Sequence, residues 1–247
     1  MNDEAIERNA TARPVAVSVI IPARNEAKAI AATVAAVERA RARFGAGEVE
    51  VIVVDNLSND DTAGVAQAAG DVRVLRSARL KAPCARNDGA AAARGDLLVF
   101  VDADTRIPED GLLRASALAR QHDVGIFRIE GDGPDWRSRL WWGFWNLVRH
   151  LPLPHAKALP AFMFCTRDAF RRYGPFDERV VIGEEWPLTA GCYRADRARF
   201  VYDSATAAVT SSRRMERQPF GYVRTFAKYV WAVLHYSGRI HYSDRIR

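Results

Sequence analysis

Four apolar runs spaced along the N-terminal part of the chain limit its fold more than any other feature. They are VAVSVIIP (15–22), VEVIVVD (49–55), DVRVLR (71–76) and DLLVFVD (96–102). The first, second and fourth are nearly continuous in Val, Ile, Leu and Phe, as strands covered on both faces require. Between them lie segments of helical period. Ile30, Val34, Val37, Arg41 and Phe44 share one face, with Gly45 as a stop. DTAGVAQAAG (61–70) and PCARNDGAAAAR (83–94) read as two further helices. Strand–helix alternation with short connections implies right-handed βαβ units and a parallel sheet.

Past Asp102 the pattern changes. Pro108 suits the first residue of a helix over 108–120. A strand is expected over 123–131, an aromatic helix over 137–151, and strand, helix and turn over 161–178. The expected fold class is therefore α/β, with a mostly parallel central sheet flanked by helices and a mixed α+β second half. With 247 residues, the chain is read as a single domain over 1–247, in three parts: 15–120, 121–212 and a basic aromatic tail, 213–247.

Three cysteines (Cys84, Cys165, Cys192), odd in number and without a CxxC pair, argue against a disulfide framework and for a reducing compartment. The polar start lacks an apolar signal core, and no run reaches the ~20 residues that span a bilayer. The expected location is the cytoplasm, with peripheral contact at the inner face of the membrane as an extension of that reading. The tail from Arg213 carries eight Lys/Arg against Glu216 and Asp244, which accounts for the whole net charge of +6. The rest of the chain is neutral, so a nucleic-acid partner is not expected.

Two strands finish in acid, at Asp55 and at Asp102, and ligands in open α/β sheets bind beyond the carboxyl ends of strands. In an extended segment Asp102 and Asp104 point one way and Ala103 the other. Two carboxylates on one side are costly unless a cation lies between them. Mg²⁺ or Mn²⁺ carrying a diphosphate would satisfy both. Turn and capping chemistry could account for the same residues, and Ser58-x-x-Asp61 has the form of a capping box.

Taken together, VSVIIPARNE, VIVVDNLSNDDT and ARNDGAAAARGDLLVFVDAD resemble family 2 glycosyltransferases of the GT-A fold, with a weaker likeness at YGPFDERVVIGEEWPL (173–188). The resemblance implies that Pro22, Ala23, Arg24 and Glu26 line a nucleoside pocket and that Asp55 binds the base. Arg86 would reach the base or diphosphate, while Asp102, Ala103 and Asp104 form the DxD motif, its acids holding metal and donor. It implies a UDP- or GDP-linked sugar donor, and Glu185, beside Glu184, as the base of an inverting transfer to an acceptor hydroxyl. A helix N-terminus would also favour this acidic pair. Relatives often add a late histidine to the metal shell; AVTSSRRM (208–215) has none. The five histidines make no metal-ligand spacing.

Two alternatives stand beside this. A sugar-1-phosphate nucleotidyltransferase needs a Gly-rich loop after the first strand, where PARNE stands; the missing GxGxxG likewise argues against a dehydrogenase. A non-catalytic nucleotide-sugar-binding module predicts lost acids, whereas Asp102, Asp104 and Glu185 are present. Trp136, Trp141, Trp142 and Trp145, with Phe144, Leu147 and Val148, lie among Arg137, Arg139 and Arg149. The tail adds Phe220, Tyr222, Phe226, Tyr229, Trp231, Tyr236 and Tyr242. This composition suits a membrane surface or a lipid-linked acceptor; a helix packed on the sheet or a subunit interface is the other reading of the same residues.

Overall fold

The structure is a computed structural model that describes residues 16–45, 48–158, 160–180, 182–213 and 220–234. Tyr236, Tyr242 and all the tail's charged residues other than Arg213, Arg224 and Lys228 lie outside the described residues.

The first half follows the βαβ pattern. β1 (Val17–Ala23), α1 (Ile30–Phe44), β2 (Val49–Asp55), α2 (Thr62–Ala69), β3 (Arg73–Arg76), α3 (Ala82–Ala92) and β4 (Leu97–Val101) occur in that order. β1 pairs in parallel with both β2 and β4, and β2 with β3. Side chains alternate between two cores. Val19, Val53 and Val99 pack on one face with α1; Ile20, Ile52 and Leu98 pack on the other with α3. Burial on both faces is why these strands lack polar alternation. Gly89 lets α3 approach closely, since a Cβ there would lie 2.5 Å from Ile20 Cγ2.

The second half completes the sheet with mixed pairing. β5 (Thr105–Arg106), α4 (Gly111–Ala119), β6 (Val124–Gly131) and α5 (Trp136–Val148) are followed by β7 (Phe162–Thr166) and α6 (Arg167–Tyr173). Then come α7 (Trp186–Ala195), β8 (Phe200–Thr210) and α8 (Gly221–Leu234). The strand order is β3-β2-β1-β4-β7-β6-β8-β5. β7 runs antiparallel to β4 and β6, β8 parallel to β6, and β5 antiparallel to β8. β5 follows β4 within four residues yet lies at the far edge, so the sheet curls round on itself.

Three expectations are corrected. The helix after Pro108 begins at Gly111, because the Pro108 carbonyl accepts from Gly111 N–H and closes a turn first. The capping box does not form: Asp61 precedes α2 without a side-chain cap, and Ser58 bonds elsewhere. Arg149 is not a flanking surface cation but fully buried, donating to the Ala158 carbonyl and Asn146. All three cysteines are buried free thiols, and burial pushes Cys192 up to about 12.

Candidate functional site

The loops after β1 and β2 are stitched together by the polar residues of NLSNDDT. Asn25 N–H donates to Ser58 Oγ at 3.0 Å, Asn59 N–H to Asn25 Oδ1 at 2.8 Å, and Glu26 N–H to Thr62 Oγ1 at 2.9 Å. Asn25 and Leu57 take positive φ, 54° and 57°, a conformation that non-glycine residues keep only where surrounding bonds over-determine it. These bonds hold the floor of a cavity of about 520 Å³ at the carboxyl ends of β1, β2 and β4.

Pro22, Ala23, Arg24 and Glu26 line this cavity, as do Arg86, Asp102, Ala103, Asp104 and Glu184. Asp55, at the end of β2, is buried and outside this lining, its Oδ1 accepting from Ser58 N–H at 3.1 Å; Asn56 provides the lining at this strand end. Arg24 Nε is buried without a hydrogen-bond partner among the described residues, an N–H left over for an acceptor entering the cavity.

The segment 102–104 is a turn rather than an extended strand end. Thr105 N–H donates to the Asp102 carbonyl at 3.0 Å, and Thr33 Oγ1 to the Ala103 carbonyl at 2.9 Å. Asp102 and Asp104 nevertheless line the same two cavities. Each has an arginine beside it. Arg86 on α3 donates to Asp102 at 2.7 Å and to Glu184 at 3.1 Å. Arg213, after β8, is 3.6 Å from Asp104 and in direct contact with Glu26. Sequence reasoning passed over Arg213 because it sought a histidine in that stretch.

Arg86 thus joins the two halves of the chain. Burial works against its charge, yet Asp102 and Glu184 outweigh burial and raise its pKa. Burial pushes the Glu184 carboxyl up, while Arg86 pulls it down. The loop carrying Glu184 is pinned to α3 from several sides. Asn87 accepts from Phe176 N–H and donates to Glu178 Oε1 at 2.9 Å, and Lys81 reaches the Glu178 carbonyl at 2.9 Å.

A second cavity of about 330 Å³ opens on the other side of Asp102 and Asp104. It is walled by Trp141, Trp142, Ile182, Glu184, Glu185 and Thr225, among others, and is more apolar than the first. Glu185 is buried and immediately precedes α7, its carbonyl accepting from Thr189 N–H at 2.9 Å. Trp186, 1% exposed, packs edge-on to Tyr229 and His155, which fixes the helix start that carries Glu185. The acidic pair therefore both opens a helix and splits between the cavities: Glu184 borders both, Glu185 the second alone.

Two hard carboxylates beside a polar cavity suit Mg²⁺ or Mn²⁺ with phosphate oxygens completing the shell. Among the described residues no cluster of three or more His, Cys, Asp or Glu could hold a metal by itself. The donor set fits an ion that arrives with, or is completed by, a phosphorylated ligand.

A curled mixed sheet with two acids at the end of its fourth strand defines the GT-A class. Solved structures share this fold. TarS from S. aureus in complex with UDP-GlcNAc superposes with a TM-score of 0.61 at 20% identity, over 87% of this chain and 66% of that one. The mannosyltransferase PcManGT from Pyrobaculum calidifontis in complex with GDP-Man and Mn²⁺ gives 0.62 at 20%, over 90% and 65%. Residues 18–180 match the profile described as glycosyl transferase family 2, and the chain belongs to that family. A pre-mycofactocin glycosyltransferase from Mycobacterium tuberculosis is 32% identical over 198 residues. That match takes in 72% of this chain but only 38% of the relative's length.

Proposed function

We propose that the chain transfers a sugar from a nucleoside diphosphate to an acceptor hydroxyl, with inversion and with a divalent cation. One observation carries this reading: Arg24, Arg86, Asp102, Asp104 and Glu184, from four separate chain segments, converge on one polar cavity at the strand ends. UDP-GlcNAc and GDP-Man in the solved structures of the same fold support a UDP- or GDP-linked donor, and Mn²⁺ in one of them supports the metal.

In this reading the first cavity takes the donor. Arg24 Nε and the Pro22–Glu26 loop receive the nucleoside, while Asp55 braces the neighbouring loop after β2 through Ser58 N–H. Asp102 and Asp104 hold Mg²⁺ or Mn²⁺, which when bound offsets charge on the departing diphosphate. Arg86 keeps Asp102 oriented and adds a positive charge near the phosphates. Glu185 faces the second cavity, where it takes the proton of the acceptor hydroxyl as that oxygen attacks the anomeric carbon. The tryptophan wall of that cavity supports an acceptor borne by an apolar, lipid-linked carrier. The buried reduced thiols suit the cytoplasm, with the enzyme working peripherally at the inner membrane face.

Asp104→Ala tests the donor half. Thermal shifts with UDP and GDP, with and without Mn²⁺, should show a metal-dependent gain for the wild type and none for the variant. A variant that keeps the metal-dependent gain removes the assignment of Asp104.

A further inference from the structure

α5 and α8 lie side by side, and their inner faces wall the second cavity through Trp141, Trp142 and Thr225. Trp145 meets Phe226 and Tyr229, and Trp141 meets Tyr222. The pair is thus seated on the domain by one face of each helix.

The outer faces are apolar as well. On α5, Trp136, Leu140, Phe144 and Leu147 are 60, 63, 44 and 69% exposed. Their spacing of four, four and three residues makes one stripe along the helix. On and just before α8, Phe220, Val223, Phe226, Val230 and Trp231 are 38 to 83% exposed. An edge contact between Phe144 and Phe226, at 5.7 Å, joins the two stripes. An apolar groove of about 320 Å³, lined by Phe144, Val148, Leu153, Phe226 and Val230 among others, continues them. So extended an exposed apolar surface marks an interaction site.

The two helices themselves carry charge of one sign. Arg137, Arg139, Arg224 and Lys228 are exposed on the two helices, and neither helix contains an Asp or Glu. An isologous contact with a second copy would set these cations against their own equivalents. Apolar stripes with aromatic ends and flanking cations match the interface of an anionic bilayer, in which helices lie flat. Among the described residues no helix is long and apolar enough to cross a membrane, so surface seating is the mode the helices offer.

We propose that the α5–α8 face docks on an anionic phospholipid bilayer, holding the second cavity at the lipid surface. The proposal deepens the reading of that cavity as the acceptor side, and rests on it for its purpose but not for its test. The full chain is sedimented with vesicles of phosphatidylglycerol and phosphatidylcholine, and with phosphatidylcholine alone, at low salt. Wild type is expected to pellet with the anionic vesicles. Leu140→Glu/Leu147→Glu should cut the bound fraction on the order of tenfold or more. Arg224→Glu/Lys228→Glu should lose the preference for the anionic lipid, each reversed charge acting within a Debye length of the surface. All four positions are exposed, so both variants should keep the wild-type melting temperature and nucleotide-induced shift.

Wild type left in the supernatant with anionic vesicles overturns the proposal, as do variants that bind like wild type. Light scattering addresses the other occupant: a wild-type dimer that Leu140→Glu/Leu147→Glu converts to monomer assigns the face to a second copy and also overturns it. Sedimentation as expected without any sugar transfer leaves the dock standing and removes the acceptor assignment instead.

Discussion

Arg86→Met keeps most of the side-chain length and removes the charge that bridges the two halves of the site. In the wild type the guanidinium lies 2.7 Å from Asp102 and 3.1 Å from Glu184, with side-chain exposures of 12, 34 and 19% for Arg86, Asp102 and Glu184. Stripping one partner from a buried ion pair costs about 3–5 kcal/mol. The one-third exposure of Asp102 lets water screen part of the loss, which lowers the expectation to about 2–3 kcal/mol. For a domain of this size that is a fall of roughly 4–12 °C in Tm. The loss should depend on pH in a defined sense. Burial holds the folded pKa of Glu184 above its ordinary 4.5, so the stability tied to this group is fully present below that value and declines as pH rises through the raised one. Removing Arg86 takes away the main force holding that pKa down, so the deficit should be larger at pH 8 than at pH 5. Differential scanning fluorimetry from pH 5 to 8 measures both effects. Glu184→Gln in the Arg86→Met background should recover much of the loss, because no second buried charge is then left alone. A variant that melts with the wild type at pH 8, or a deficit that grows toward pH 5, refutes the bridge as an energetic element.

Two other substitutions separate chemistry from packing. Glu185→Gln should bind donor normally and lose turnover on the order of a hundredfold or more in a transfer assay, while Glu184→Gln loses less; reversed behaviour moves the base to Glu184. Gly125→Ala puts a Cβ 2.1 Å from Cε1 of the buried Phe164 ring, an overpacking expected to cost about 1–3 kcal/mol in chemical denaturation, and a neutral result would show that β6 and β7 can slide apart locally.

β1, β2 and β4 of the parallel half were legible because each is covered on both faces, and Val, Ile and Leu leave no other pattern to read. Asp102 and Asp104 were legible because they sit at or just past a strand end, whereas Arg86, inside a helix, was reached only through the family resemblance. β8 escaped, although it has 11 residues: its YDSATAAV stretch is weakly apolar, and a register shift opposite Phe127 and Arg128 interrupts its pairing. Arg213 escaped for a different reason. Its partner Glu26 is 187 residues away, and no local periodicity encodes a contact of that span. The tryptophans were legible as a cluster but not by face, because which side of α5 is covered depends on α8.

The placement of β5 at the far edge of the sheet makes the two acids part of a joint. The turn that holds them is tied to opposite parts of the molecule: Asp102 N–H donates to the Ala161 carbonyl at 3.0 Å, and the Asp104 carbonyl accepts from Ser211 N–H at 3.2 Å. At the next residue, Thr105 and Thr210 share a buried hydroxyl bond at 2.8 Å. A strand end that hung free could adjust its carboxylates one at a time. Here the closing edge of the sheet and the rim of the tryptophan-walled cavity pull on the same three residues. Any displacement that reshapes the rim of that cavity is therefore delivered mechanically to the Asp102 and Asp104 carboxylates, with no signal passing through the intervening core.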